Sequence, residues 1–169
     1  MPAPILTPRA AVDLTATWAS LAASSTLVAG YATASYDNTA NDDSRLLLSG
    51  FFRSGSSNWQ GGVIEVWAFT QRNGTDWPGM FTTTYSGSAG AFTVSSRSSL
   101  QSAAAPVAAI RTDQLAQRTW DIRPRDIVLP FGGIERVAFF VTHNAHTTTT
   151  AWSATEADHR LIMTPYRWV

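Results

Sequence analysis

Apolar and polar residues alternate along much of this chain. Between Val12 and Trp18 every second residue is apolar, and residues 27–33 continue in a similar way. A period of two places successive side chains on opposite faces, which is the pattern of a half-buried strand. Residues 46–52 and 134–142 are apolar at most positions, so we expect both to be central strands covered on both faces. Shorter strand candidates lie at residues 63–70, 81–85, 92–94, 107–111, 118–122, 127–129 and 161–163.

Turn signals separate these candidates at the spacing that a sandwich or a barrel requires. The strongest is Asn73-Gly74, because a type I′ turn needs a positive φ at both central positions. It predicts a hairpin in which residues 81–85 return beside residues 63–70. Pro165 predicts that the last strand lies at a sheet edge or ends there. No long stretch has the helical period, so we predict an all-β protein, an antiparallel β-sandwich.

The first nine residues are rich in proline, with Pro2, Pro4 and Pro8. Proline fixes φ and lacks an N–H, so such a segment favours an extended, poorly hydrogen-bonded backbone. We interpret residues 1–9 as an extended N-terminal arm and residues 10–169 as a single β-sandwich domain. The apolar side chains of Ile5 and Leu6 would need covering, and we expect a neighbouring subunit to cover them.

Composition favours association between copies of the chain over binding to nucleic acid or membrane. Charged residues make up 14% of the chain, its formal net charge is zero, and its twelve basic residues are scattered arginines. Nucleic-acid binding needs clustered positive charge, so we expect no nucleic-acid partner. No apolar run reaches the roughly 18 residues of a membrane span, and Pro4, Pro8 and Asp13 argue against a signal peptide. A domain without net charge tends to self-associate, which predicts a homo-oligomer.

Candidate chemistry is sparse. Cysteine is absent, which excludes disulfides and thiolate zinc sites. His143 and His146 would point to opposite faces of a strand, and His159 lies apart from them, so we predict no metal site. Glu65 and Glu135 each interrupt an apolar strand and would approach one another if those strands paired, but solvated outward positions explain them more simply. We therefore predict no catalytic residues, no cofactor and no metal.

Tryptophan is the remaining functional signal. Trp18, Trp67 and Trp120 lie in strand-like contexts and are predicted to be core. Tryptophans in loop contexts or near the C-terminus can anchor a protein interface, stack against sugar rings, or pack within their own domain. We favour interface anchoring, because low charge also suits buried assembly surfaces. The interface candidates are Ile5, Leu6, Trp59, Trp77, Trp152 and Trp168.

Three segments resemble a known group of proteins: GGVIEVWAFTQRNGTDWPG at residues 61–79, FFVTHN at residues 139–144, and Pro165-Tyr166 near the C-terminus. A glycine-led strand, an N/D-G-T turn and a late F-V-T-H-N strand of this kind resemble small virion structural proteins of tailed bacteriophages. The resemblance implies a jelly-roll-like fold and a place in the virion, as a capsid decoration (cement) protein or as a tail or baseplate component. It carries over no catalytic residue.

Three functional hypotheses follow. The first is a non-enzymatic virion protein, made in the host cytoplasm and expected to be trimeric, whose partners are itself and other virion proteins such as the major capsid protein. The second is a carbohydrate-binding module for host-surface recognition, which predicts aromatic side chains beside Asn, Asp or Gln on an exposed face. The third, an enzyme, is the least favoured.

Overall fold

Two antiparallel sheets form the protein. The computed structural model describes residues 3–55, 61–71, 74–113, 117–128, 136–145 and 152–169. The order of strands in sheet A is β1-β11-β5-β9 with β2 also beside β11, and in sheet B it is β7-β3-β10-β6-β8 with β4 also beside β10. The sheets pack face to face around one core, so the chain is an all-β sandwich. The strands are β1 (Leu6–Pro8), β2 (Val12–Asp13), β3 (Ala29–Ala32), β4 (Tyr36–Asp37), β5 (Arg45–Arg53), β6 (Gly62–Thr70), β7 (Gly90–Thr93), β8 (Ala105–Thr112), β9 (Thr119–Val128), β10 (Arg136–His143) and β11 (Arg160–Trp168).

The main core lies between the sheets and follows the alternation of the sequence. Every second residue of β5 and β11 points into it, as the period of two requires. Its large members are fully or almost fully buried: Leu46, Leu48, Phe52, Ile64, Val66, Val137, Phe139, Val141, Leu161 and Met163.

A second apolar cluster covers the outer face of sheet B. Trp67 and Phe69 of β6 and Phe140 of β10 point away from the main core. Residues 77–85 and helix α1 (Arg97–Ala103) lie over them. We call these two segments the covering layer. The prediction of a central strand covered on both faces is therefore confirmed for β10. The covering layer contributes Met80, Phe81, Tyr85 and Leu100.

The predicted hairpin at Asn73-Gly74 is wrong. Gly74 does have a positive φ of 73°, but residues 81–85 do not return beside β6, which pairs with β8 and β10 instead. Phe81 and Tyr85 pack on Phe69 with ring centroids 5.4 and 5.0 Å away. Both sides of β6 are already paired, and residues 81–85 instead bury their rings over the face of the sheet. Asn73 lies outside the described residues.

Other element boundaries differ from the prediction in ways that local contacts explain. The first predicted strand is only two residues long, because a 3-10 turn begins at Trp18. The Glu156 carboxylate accepts hydrogen bonds from the N–H groups of Trp18 and Ala19 at 2.7 and 2.9 Å and holds that turn. The predicted strands at residues 118–122 and 127–129 form one strand, β9, as far as Val128. Its Pro124 is tolerated because β9 is an edge strand.

Pro165 does not mark an edge strand, since β11 is paired on both sides. The carbonyl of Pro165 accepts from Arg9 N–H at 2.8 Å. The nitrogen and the C=O of one strand residue point to the same side. The Pro165 nitrogen, which carries no hydrogen, therefore faces the side of β11 where β1 and β2 lie. The ladder between β11 and β5 stays intact on the other side.

The N-terminal segment is extended, and in this chain it pairs with β11 as an edge strand. Ile5 and Val169 exchange two backbone hydrogen bonds of 3.1 and 3.0 Å, and Leu6 lies opposite Trp168. Even-numbered positions of the segment then point their backbone groups to the free edge. Two of these positions are Pro4 and Pro8, which have no N–H to offer to another strand, a common protection of sheet edges. The predicted boundary after residue 9 therefore does not separate an unpaired arm from a paired domain, because residues 5–9 are already hydrogen-bonded to the last strand.

Candidate functional site

The outer face of sheet A carries apolar side chains that no described segment covers. On β5 and β11 the residues that alternate with the core residues point outward, and several of them are apolar and only partly buried. The prediction that residues 46–52 are covered on both faces is thus wrong within the described chain. Sheet B has its covering layer, whereas no described segment lies over sheet A. We call this surface the sheet A face; its apolar members are Leu6, Leu47, Phe51, Val128, Ile162, Tyr166 and Trp168.

Strand register brings these side chains together. Leu6 lies opposite Trp168, and Tyr166 lies opposite Arg45, which in turn lies opposite Val128. Directly opposed residues share one face of the sheet, with Cβ atoms about 5 Å apart. Trp168 is 47% exposed and Val128 is 69% exposed. Large apolar side chains at such exposure on one face of a sheet form a patch of the kind that marks interaction sites.

Two ion pairs lie on this face. Arg160 donates two hydrogen bonds, of 2.9 and 3.0 Å, to the Asp13 carboxylate, and these bonds lower the pKa of Asp13. Arg45 Nε donates to Asp126 at 3.1 Å. Neutralised pairs impose little net repulsion on an approaching surface. The face can therefore meet another neutral surface, including its own copy.

Two of the predicted interface residues lie at one corner of the sheet A face, and a third lies beside them on the other side of the sheet. Leu6 and Trp168 belong to the face, and Ile5, 68% exposed, pairs with the equally exposed Val169 on the opposite side of the same two strands. The other apolar members of the face were not predicted. Each is an ordinary strand residue, and only the packing of the sheets determines that its side chain points outward.

Two of the predicted interface tryptophans lie elsewhere. Trp152 is only 4% exposed, and its Nε1 donates to His143 Nε2 at 2.7 Å. It also contacts Phe52 and His159 as part of the core, so its predicted role as an exposed anchor is corrected to a core role. Trp77 is partly exposed in the covering layer, on the opposite side of the sandwich from the sheet A face. Trp59 lies outside the described residues.

The histidines serve the core. His143 is fully buried in β10, with its Nε2 also 3.0 Å from the Leu21 carbonyl. His159 Nε2 donates to the Ser153 carbonyl at 2.9 Å, and its Nδ1 accepts from Arg53 N–H at 3.4 Å. Burial lowers the pKa of His159, and the Ser153 contact opposes that shift. Among the described residues no group of three potential ligands could hold a metal; His146 lies outside them.

Glu65 is not a solvated strand residue. Its carboxylate accepts from Arg97 at 2.6 and 3.0 Å and from Trp67 Nε1 at 2.9 Å. The Arg97 guanidinium also lies over the Trp67 ring, 5.3 Å from its centroid. Only 14% of the Glu65 side chain is exposed, so this acid ties α1 to sheet B instead of facing solvent or a cleft. Glu135 lies outside the described residues.

Within the described ranges no helix is long and apolar enough to cross a membrane.

Comparison of the chain with family models, curated proteins and solved structures gives no match.

Proposed function

We propose that this chain is a non-enzymatic structural subunit of a tailed-bacteriophage virion, a capsid decoration protein that acts through protein–protein contacts. The observation that carries the proposal is the sheet A face. One side of the sandwich is covered by the chain's own residues, whereas the other presents apolar side chains without a cover among the described residues. The resemblance of residues 61–79 and 139–144 to virion proteins supports the choice of assembly.

The occupant that we propose for this face is a second copy of the chain. Strands β5, β9 and β11, about 4.8 Å apart and nine or ten residues long at about 3.3 Å per residue, span roughly 14 by 30 Å, or on the order of 430 Å², to which the three-residue β1 and side-chain relief add. A standard interface buries about 800 Å² per partner, so the face supplies roughly half or more of the area that stable association needs. Its ion pairs carry both signs, which suits a self-complementary contact.

The polar groups that could otherwise serve catalysis hold the fold. Glu65 binds Arg97, Glu156 binds backbone N–H groups, and His143 and His159 bond to residues of the core. A general base must be free to reach a substrate proton. These engagements support a structural role over an enzymatic one.

Light scattering with two variants tests the proposed face. The wild-type chain should show a mass above the 18.3 kDa of one copy at micromolar concentration. Leu47→Arg replaces an apolar side chain in the centre of the face with a charged one, and Trp168→Ser removes its exposed aromatic anchor, so each should shift the protein toward a single copy. Thr83→Arg, an exposed position in the covering layer, is the matched control and should leave the mass unchanged.

A wild-type chain that is a clean single copy would overturn the self-association, and an equal effect of Thr83→Arg would overturn the choice of face. Quantitative mass spectrometry of particles from the source of this sequence tests the virion role. A copy number on the scale of the capsid subunits supports decoration, whereas a copy number on the scale of a tail ring indicates a tail or baseplate component. Absence from particles refutes the virion role.

A further inference from the structure

A groove lies in the covering layer, on the opposite side of the sandwich from the sheet A face. It has a volume of about 390 Å³, within the range of sites that hold small ligands. Hydroxyl, carboxylate and aromatic side chains share its lining, and none of the described residues that line it is an arginine. The groove is formed by Thr75, Asp76, Trp77, Pro78, Gly79, Phe81, Thr82, Thr83, Thr84 and Tyr85.

Trp77 is a rigid, partly exposed aromatic surface in this groove. Phe69 and Tyr85 pack against it edge to face, with ring centroids 5.5 and 4.8 Å away. Tyr85 is itself fixed, since its hydroxyl donates to the Thr33 carbonyl at 2.6 Å and burial raises the pKa of that hydroxyl. A ligand that stacks on Trp77 therefore loses little binding energy to the ordering of its site.

The groove is anchored to the rest of the fold by backbone hydrogen bonds. Thr82 N–H donates to the Thr93 carbonyl at 2.8 Å, and Ser35 N–H donates to the Gly87 carbonyl at 2.9 Å. Gly87 has a φ of 97°, a conformation that glycine adopts without strain. The segment that follows Trp77 is thus tied to β7 and to the connection between β3 and β4.

Unused polar groups surround the aromatic surface. Within the described ranges, the Trp77 Nε1–H, the Asp76 carboxylate and the hydroxyls of Thr83 and Thr84 make no hydrogen bond. The indole N–H is a donor, the carboxylate is an acceptor, and each hydroxyl can act as either. Thr82 differs, because its hydroxyl donates to the Thr93 carbonyl.

We propose that this groove binds a neutral pyranose sugar. One apolar C–H face of the ring would stack on Trp77, and its hydroxyls would bond to Asp76, Thr83 and Thr84. A sugar presents an apolar face and hydroxyls at its rim, which match the lining in both respects. The negative charge of Asp76, with no arginine among the described lining residues, disfavours phosphates and other anions. This site does not rest on the proposed virion role.

Titration of the ¹⁵N-labelled chain with methyl glucoside, galactoside and mannoside tests the site. The indole N–H signal of Trp77, assigned by its disappearance in Trp77→Phe, should shift progressively with at least one of these sugars. Asp76→Ala removes a hydrogen bond to a charged group and should weaken binding by about tenfold or more. Trp168→Phe changes the exposed tryptophan on the opposite side and should leave the affinity unchanged.

Failure of all three sugars to shift the Trp77 signal would overturn the proposal. A shift that keeps its full affinity in Asp76→Ala would also overturn it, because the sugar would then bind without the groove's carboxylate. The Asp76 side chain is exposed and makes no hydrogen bond to the described residues, so this variant should fold normally. A signal that responds instead to an extended peptide would assign the groove to a protein partner and refute the sugar.

Discussion

Replacing Arg9 should cost nearly as much stability as removing the whole N-terminal segment. Arg9 Nη1 lies 3.3 Å from Asp43 Oδ2, and the Asp43 side chain has no exposed surface. Tyr36 also donates to this oxygen, at 2.5 Å, and Asn38 fixes the Asp43 backbone. Loss of the arginine would leave a buried carboxylate with neutral partners, which is costly.

The backbone of the N-terminal segment should contribute little to the free energy of unfolding. Three hydrogen bonds join Ile5 and Arg9 to Val169 and Pro165, in addition to the pairing of β1 with β11, and each backbone bond is worth about 1 kcal/mol net. Ordering the backbone costs about 1–2 kcal/mol per residue, so these terms offset one another. A hydrogen bond to a charged group contributes about 1.5–3 kcal/mol. Because 35% of the Arg9 side chain is exposed, we expect the lower part of that range, about 1–2 kcal/mol, after solvent screening.

Thermal unfolding measures how much stability Arg9 and the whole N-terminal segment each contribute. For a domain of this size about 1 kcal/mol corresponds to roughly 2–4 °C, so Arg9→Met should lower Tm by about 2–8 °C. Deletion of residues 1–9 should lower Tm by a similar amount and leave the fold intact. Arg167→Met, at an exposed position of β11, is the matched control and should change little. A deletion that unfolds the chain, or an Arg9→Met variant as stable as wild type, would refute the reasoning.

Three further predictions concern stability. Arg97→Met should lower the free energy of unfolding in urea by about 2–3 kcal/mol, since Glu65 would stay buried without its cation. Glu65→Gln should lower it by less, because the amide oxygen can still accept a hydrogen bond from Trp67. Equal losses in the two variants would count against this account. The pKa of His159 is lowered by burial, so the unfolded chain binds the proton more readily and stability should fall as pH drops below about 6.5. His159→Gln should weaken that dependence in Tm measured from about pH 7.5 to 5, and an unchanged slope would exclude His159 as its source. Addition of EDTA should leave Tm unchanged, whereas a fall of several degrees would reveal a metal site.

Strand positions and the all-β class follow from the sequence because alternation is a local property. Residues 63–70 and 92–94 correspond closely to β6 and β7. Helix α1 was not predicted: it is short, and its main local signal is Ser96, whose side chain accepts from Ser99 N–H as an N-cap.

Local pattern could not determine which apolar strand is covered on both faces. β5 and β10 have similar composition, yet Phe140 of β10 is fully buried whereas Phe51 of β5 stays partly exposed. The difference arises because residues 77–85 pack over sheet B, a contact between segments that are distant in the sequence. The sheet A face was not predicted for the same reason: which sheet is covered depends on contacts between segments that are distant in the sequence.

The sequence by itself also indicated which side chains are suited to recognition, though not where they lie. Trp77, Trp152 and Trp168 all occur in contexts that suggest exposure, but Trp152 is core because it meets His143 and Phe52 in the folded chain. Pro165 satisfies the local rule for an edge strand and yet lies in a strand paired on both sides. Its missing N–H faces the first strands of the chain, so the ladder with β5 is complete. Alternation and turn chemistry act between neighbours in sequence, whereas burial and exposure depend on which surfaces meet in space, and only the tertiary structure decided these.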